Sequence, residues 1–147
     1  MTQRNRRMFW LLARAHRNVA AASDERLADL GLTITQAGAL FCFGEEGLLI
    51  GELGEALELA QSAASGLAKR LEDAGLVARS QEKGDGRAAR LTLTTIGRQK
   101  RTEAARRAVA ANTRMLQGFS EREIEVIVRW LTQVANMSMP GKSSREK

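Results

Sequence analysis

Residues 61–79 read QSAASGLAKRLEDAGLVAR, and this stretch decides the fold. Ala64, Leu67, Ala68 and Leu71 recur at steps of three and four, the apolar stripe of a short helix. Gly75 followed by Leu76 is a helix stop: the glycine takes the left-handed turn and the leucine makes a closing apolar contact. The other face carries Gln61, Ser62, Ser65 and Lys69, one to two turns apart on one side. Leu76-Val77-Ala78-Arg79 then reads as a short strand. Glu82-Lys83-Gly84-Asp85-Gly86-Arg87 reads as a turn, and Ala89-Arg90-Leu91-Thr92-Leu93 as an alternating second strand. A helix with a small polar face thus runs straight into a hairpin with a charged tip.

Upstream, Ile50, Leu53, Ala56 and Leu57 give a preceding short helix. Thr33 and Gln36 form a capping box that opens a helix through AGALFCFGEE, ending near Gly44 to Gly47. Leu48-Leu49 is too short for a free strand but suits a sheet edge. Met8, Leu12, Ala15, Val19 and Ala22 mark one face of a long first helix, which Gly31 stops. Downstream, an Ala- and Arg-rich helix runs from Thr94 to Met115. Ser120 and Glu123 make a second capping box, flanked by Phe119 and Ile124 as a hydrophobic staple. The final helix is strongly apolar, and residues 139–147 read as a disordered tail. The fold expected is mainly α with a small β-hairpin wing. Residues 1–30 form an N-terminal helix, 31–96 a winged helix-turn-helix lobe and 97–138 C-terminal helices.

At 147 residues with 44% hydrophobic content, the chain can bury a core, built on aliphatic residues because aromatics are only 4% and Tyr is absent. The single proline suits a helical chain. Net charge is +6, which favours a polyanionic partner. The charge is segregated. Positions 24–60 hold eight acidic residues and one basic; positions 76–107 hold nine basic and three acidic. Lys and Arg neutralise phosphates, and small side chains let a helix sit deep in the major groove, so the partner indicated is double-stranded DNA. No run of 18 apolar residues indicates a membrane span. The basic, partly apolar N-terminus superficially resembles a signal peptide, but Arg14, His16, Arg17 and Asn18 break the patch. One cysteine excludes an internal disulfide framework, and a reducing cytoplasm is the simple reading.

An enzyme is not expected. One His and one Cys leave little for acid–base or nucleophilic chemistry, and no cofactor or metal site is indicated. Cys42, between Phe41 and Phe43, reads as a buried, inert thiol. The glycines of the hairpin turn have no helix after them, so they are not a phosphate loop.

The order and spacing of these motifs resemble the MarR (multiple antibiotic resistance regulator) family of winged-helix repressors. The resemblance spans about Asn5 to Met137 and is carried by Leu32-Thr33-x-x-Gln36 and by Ala63-x-Ser65-x-Leu67-x-x-Arg70-Leu71-Glu72-x-x-Gly75-Leu76-Val77-x-Arg79. Asp85-x-Arg87 in the wing and Leu91-Thr92-Leu93-Thr94-x-x-Gly97 on the return complete it. One departure is Gly86, where the family often has a second wing arginine. The resemblance implies a homodimer with intertwined first and last helices, through Met8, Leu12, Ile124, Ile127, Val128 and Leu131, although both faces packing within one chain is the alternative. It implies base contacts from Gln61, Ser62 and Ser65, and phosphate contacts from Lys69 and Arg79. In the wing, Lys83, Arg87 and Arg90 would contact DNA, with Arg87 in the minor groove and Asp85 orienting it. Ser65 is equally readable as a packing residue, and Arg70 as one half of an ion pair. Many relatives release DNA when a small, often aromatic acid binds; Arg14, His16 and Phe41 are the candidate pocket residues. A non-specific architectural DNA binder and a winged-helix protein-interaction module are the competing functions.

Overall fold

The computed structural model describes residues 3–82 and 85–137, with backbone alone at 3–6, 82 and 85–88. The expected tail at 139–147 and the wing residue Lys83 lie outside the described residues. In order the elements are α1 (Gln3–Leu27), a 3-10 turn (Ala28–Leu30), α2 (Ile34–Cys42), β1 (Leu48–Leu49), α3 (Ile50–Ala56), α4 (Gln61–Asp73), β2 (Val77–Glu82), β3 (Asp85–Leu93), α5 (Thr95–Met115) and α6 (Glu121–Ala135). The chain divides into two compact units, Met1–Ala108 and Val109–Lys147.

In the first unit, the core is aliphatic apart from Phe43. Leu40, Leu53, Leu67, Leu71, Leu76 and Leu91 are fully buried and bring α2, α3, α4 and the sheet together. Each such leucine contributes about 1.5–3 kcal/mol through loss of hydrated apolar surface. The sheet is antiparallel, ordered β1-β3-β2, with Leu48 opposite Leu91 and Arg79 opposite Leu91 on the other side. Leu48-Leu49 does pair at the sheet edge, as its brevity requires.

Local chemistry sets the element ends. The Gln36 amide donates to the Thr33 hydroxyl at 3.2 Å and the Thr33 amide to the Gln36 side chain at 2.9 Å, so the first capping box is complete. The Leu49 amide donates to Glu52 at 2.7 Å at the start of α3. Thr94 Oγ1 accepts from the Gly97 amide at 3.0 Å and donates to the Gly75 carbonyl at 2.7 Å. That one hydroxyl starts α5 and ties it to the end of α4. Side chains are excluded at Gly97, because a Cβ there would collide with the Leu76 carbonyl oxygen. Gly54 packs its bare backbone near Ala64, where an added Cβ would lie 3.1 Å from the alanine methyl, and so α3 and α4 cross closely.

Three sequence expectations need correction. The first helix ends at Leu27, and the 3-10 turn fills the gap to Gly31, which is left-handed as expected. Helix α2 stops at Cys42, because Phe43 is extended and buries its ring in the core instead. The hairpin is longer than expected: β2 reaches Glu82 and β3 begins at Asp85, with a register irregularity at Gln81/Glu82. Backbone pairing beyond the alternating apolar residues extends the ladder into what reads, residue by residue, as a turn.

In the second unit, α6 opens with the Ser120 amide and hydroxyl both donating to the Glu123 carboxylate, at 2.8 and 2.7 Å. None of its described residues is buried. Phe119, Val126, Val128 and Leu131 are exposed, and Ile124, Ile127, Trp130 and Val134 only half-buried. Likewise Met8, Phe9, Trp10 and Leu11 on α1 lie exposed, while Leu12 is half-buried.

Candidate nucleic-acid interface

Helix α4 is anchored by Ala64, Leu67, Ala68 and Leu71 in the core, and this fixes which side faces out. Gln61, Ser62, Ser65 and Lys69 are all exposed. Gln61, Ser65 and Lys69 are successive i, i+4 positions, so they form one row. Ser65 is therefore not a packing residue. Ala60 precedes α4 without a side-chain cap. The first-turn amides, at the positive end of the helix, are left for another acceptor.

The C-terminal part of this face carries two ion pairs that sequence reasoning missed. Lys69 Nζ lies 3.2 Å from Asp73, an i, i+4 pair with both side chains well exposed. Arg79 Nε, on β2, lies 3.2 Å from Glu72 Oε2, each side chain 39% exposed. Arg70 makes no ion pair among the described residues; its acidic neighbours are taken by Lys69 and Arg79.

In the wing, the side chains of Asp85 and Arg87, like all of Lys83, lie outside the described residues, so their expected roles stand as expectations. Arg90 is half-buried, and its Nη1 donates to the Glu46 carbonyl at 3.3 Å, tying β3 to the loop before β1.

Much of the basic run beyond β3 serves the fold. Arg98 donates to the Leu93 carbonyl at 2.6 Å and Arg101 to the Phe43 carbonyl at 2.8 Å. Arg106 and Arg107 both bind Glu103, and Arg107 also grips Asp29 and the Arg26 carbonyl. These hydrogen bonds, from Arg106 first and then Arg107, hold the Glu103 carboxyl down at about 2. The Arg107 guanidinium likewise lowers Asp29. The segregation of positive charge, visible in sequence, thus overstates the charge offered outward: Arg98, Arg101 and Arg107 are engaged by acceptors that hold the fold together, and Arg106 pairs at the surface with Glu103.

The candidate effector residues are not drawn into one site by their helix. Arg14 and His16 are two positions apart on α1 and point about 200° apart. Arg14 stacks over Trp10, 5.3 Å from the ring centroid; His16 and Phe41 are exposed. Cys42 is half-buried rather than buried. It donates to the Gly38 carbonyl at 3.4 Å, and desolvation pushes its thiol up. No described helix is long and apolar enough to cross a membrane.

Comparison with known proteins agrees with this geometry. A family model described as MarR family matches residues 30–88, the span from the end of the 3-10 turn into the wing. A MarR family protein from Bacillus stearothermophilus is 30% identical, with 92% of this chain and 96% of that one covered and a TM-score of 0.71. CouR from Rhodococcus jostii RHA1, solved bound to p-coumaroyl-CoA, is 26% identical over 90% of this chain and 94% of its own, with a TM-score of 0.76. A MarR family transcriptional regulator from Rhodococcus sp. RHA1 is 25% identical, covering 92% and 96%, with a TM-score of 0.75. No curated protein sequence matches the chain. The chain belongs to the MarR family of winged-helix transcriptional regulators.

Proposed function

We propose that this protein is a homodimeric, sequence-specific DNA-binding repressor that reads a pseudo-palindromic operator. The observation that carries the reading is the exposed Gln61–Ser62–Ser65 row, mounted on a helix whose opposite side is core leucine and alanine. Gln pairs well with the major-groove edge of adenine, and serine suits several bases. Lys69 and Arg79 flank the row and contact phosphates. Lys83 and Arg87 extend the contact into the minor groove, with Asp85 orienting Arg87. Arg90, engaged with Glu46, supports the base of the wing.

Dimerisation is the consistent fate of the apolar faces of α1 and α6. Met8, Val128 and Leu131 are too exposed for a chain that ends its association at one copy. Leu12, Ile124 and Ile127 continue the same faces. A twofold dimer places its two reading helices on half-sites about one helical turn apart. A small aromatic or anionic effector, bound near Arg14, His16 and Phe41, would release DNA by favouring lobe spacings that miss successive grooves. That CouR was solved with p-coumaroyl-CoA is in keeping with this ligand class.

Footprinting on DNA upstream of the protein's own gene, at about 150 mM salt with excess competitor, tests the reading. A discrete protected inverted repeat is expected. Smeared protection appearing only at low salt would indicate an architectural binder, and no binding at any salt a protein-interaction module.

A further inference from the structure

We infer that Glu72 and Asp73 are positioning residues that restrain DNA binding: they occupy Lys69 and Arg79 in the free protein and so suppress binding to non-cognate DNA. The inference rests on the DNA-binding reading above and extends it to residues with no DNA contact of their own.

The geometry is specific. Gln61, Ser62 and Ser65, at the N-terminal end of the α4 face, are uncharged and exposed, and none has a side-chain hydrogen bond among the described residues. One to two turns further along, the face ends in two cations, each held by a carboxylate: Lys69 by Asp73 at 3.2 Å and Arg79 by Glu72 at 3.2 Å. The reading end is therefore open, and the phosphate-binding end is internally neutralised. Arg70, between these pairs, leaves both acids to the other two cations.

Two consequences follow from electrostatics. A cation already paired with a carboxylate has less to gain from a phosphate, because one charged partner replaces another. The displaced carboxylate then faces the DNA backbone and repels it. Both effects weaken contact with any duplex, and most where the phosphates are poorly aligned to displace the carboxylates. On the cognate site, base contacts by Gln61, Ser62 and Ser65 fix the register and offset the exchange. On other sequences nothing does. The carboxylates thus lower non-cognate affinity by more than they lower operator affinity once phosphate contacts are imperfectly aligned, and they raise the ratio between the two.

The opposing role for Glu72 is a tether that holds β2, and with it the wing, against α4. The two roles predict opposite signs. If Glu72 tethers, its removal misplaces the wing and weakens binding. If it restrains, its removal frees Arg79 and strengthens binding.

The experiment measures Kd of the full-length protein for its footprinted operator and for a scrambled duplex, across a salt series, with wild type, Glu72→Gln, Asp73→Asn and the double variant. Both acid sites are exposed enough for isosteric amides to fold, and thermal melts verify this. Each amide is expected to tighten scrambled DNA about 3- to 10-fold, and to steepen the slope of log K against log salt by about one. The operator-to-scrambled ratio falls. In Glu72→Gln/Arg79→Gln, tightening due to Glu72 disappears, because the freed cation is gone. Unchanged or weaker binding of scrambled DNA by both single variants, with wild type binding normally, overturns the restraint and leaves the DNA-binding reading intact. Failure of wild type to bind either duplex at low salt overturns both.

Discussion

Arg107 on α5 grips Asp29, in the turn after α1, with both terminal nitrogens of its guanidinium, Nη1 at 2.5 Å and Nη2 at 2.9 Å. Its Nε meanwhile binds Glu103 one turn back at 2.8 Å, and Nη1 also donates to the Arg26 carbonyl. A single side chain thus joins the end of α1 to α5, across 78 residues of sequence. A planar guanidinium spreads its five donors over three nitrogens, so it meets the Asp29 carboxylate as a fork while Nε reaches Glu103; a lysine has all its donors on one nitrogen and cannot reproduce that fork.

Arg107→Lys is therefore expected to lower Tm, and Arg107→Ala to lower it further. Melting curves check this. A lysine variant as stable as wild type would show that the fork geometry contributes nothing.

The same cluster sets an acid dependence. Glu103 is held at about 2 against an ordinary value of 4.5. Because the folded value is depressed, the stabilisation is fully present above about pH 4.5 and is lost as pH falls through about 2. The Tm difference between wild type and Glu103→Gln is expected to be largest near neutrality and to shrink across that window.

Gly97 has no room for a methyl group. Gly97→Ala drives a Cβ into the Leu76 carbonyl oxygen, which is backbone and cannot swing aside. A loss of about 1–3 kcal/mol in urea unfolding is expected.

Glu58, between α3 and α4, has φ of 52°, the left-handed region that costs a residue with a Cβ about 1–2 kcal/mol. Glu58→Gly removes that strain while adding backbone entropy to the unfolded chain, which costs about 0.5–1 kcal/mol. A net gain of up to about 1.5 kcal/mol is expected, seen as a higher urea midpoint with unchanged m-value.

At the interface, Gln61→Ala and Lys69→Ala should separate base reading from phosphate binding. The first is expected to cost about 1–3 kcal/mol of discrimination at one base position. The second should weaken all sequences together and flatten the salt slope by about one. If both variants weakened every duplex alike, Gln61 would be contacting backbone, not base.

The local elements were legible in residue order because their causes are local. The Thr33–Gln36 and Ser120–Glu123 boxes satisfy amides three residues apart. The Ala64–Leu67–Ala68–Leu71 stripe follows from helical period alone. The exposed polar face of α4 was legible for the same reason: once one side is apolar, Gln61, Ser62, Ser65 and Lys69 have nowhere else to point. The motif order was specific enough to indicate the MarR family.

Relationships across sequence distance belonged to the tertiary structure. Charge segregation made every arginine between Leu76 and Arg107 look available to DNA. Only packing shows that Arg98 and Arg101 meet the backbone carbonyls of Leu93 and Phe43, and that Arg107 meets the side-chain carboxylates of Asp29 and Glu103. The hairpin ran past its alternating core because ladder hydrogen bonds do not depend on side-chain type. Glu72 pairs with Arg79, and not with the adjacent Arg70, because the turn at Gly75 folds β2 back beside α4. Sequence by itself determined the presence and order of the helices and the exposed polar face of α4. Tertiary structure decided which charges remain free to act, because a charge's availability depends on what the fold places within a few ångströms of it.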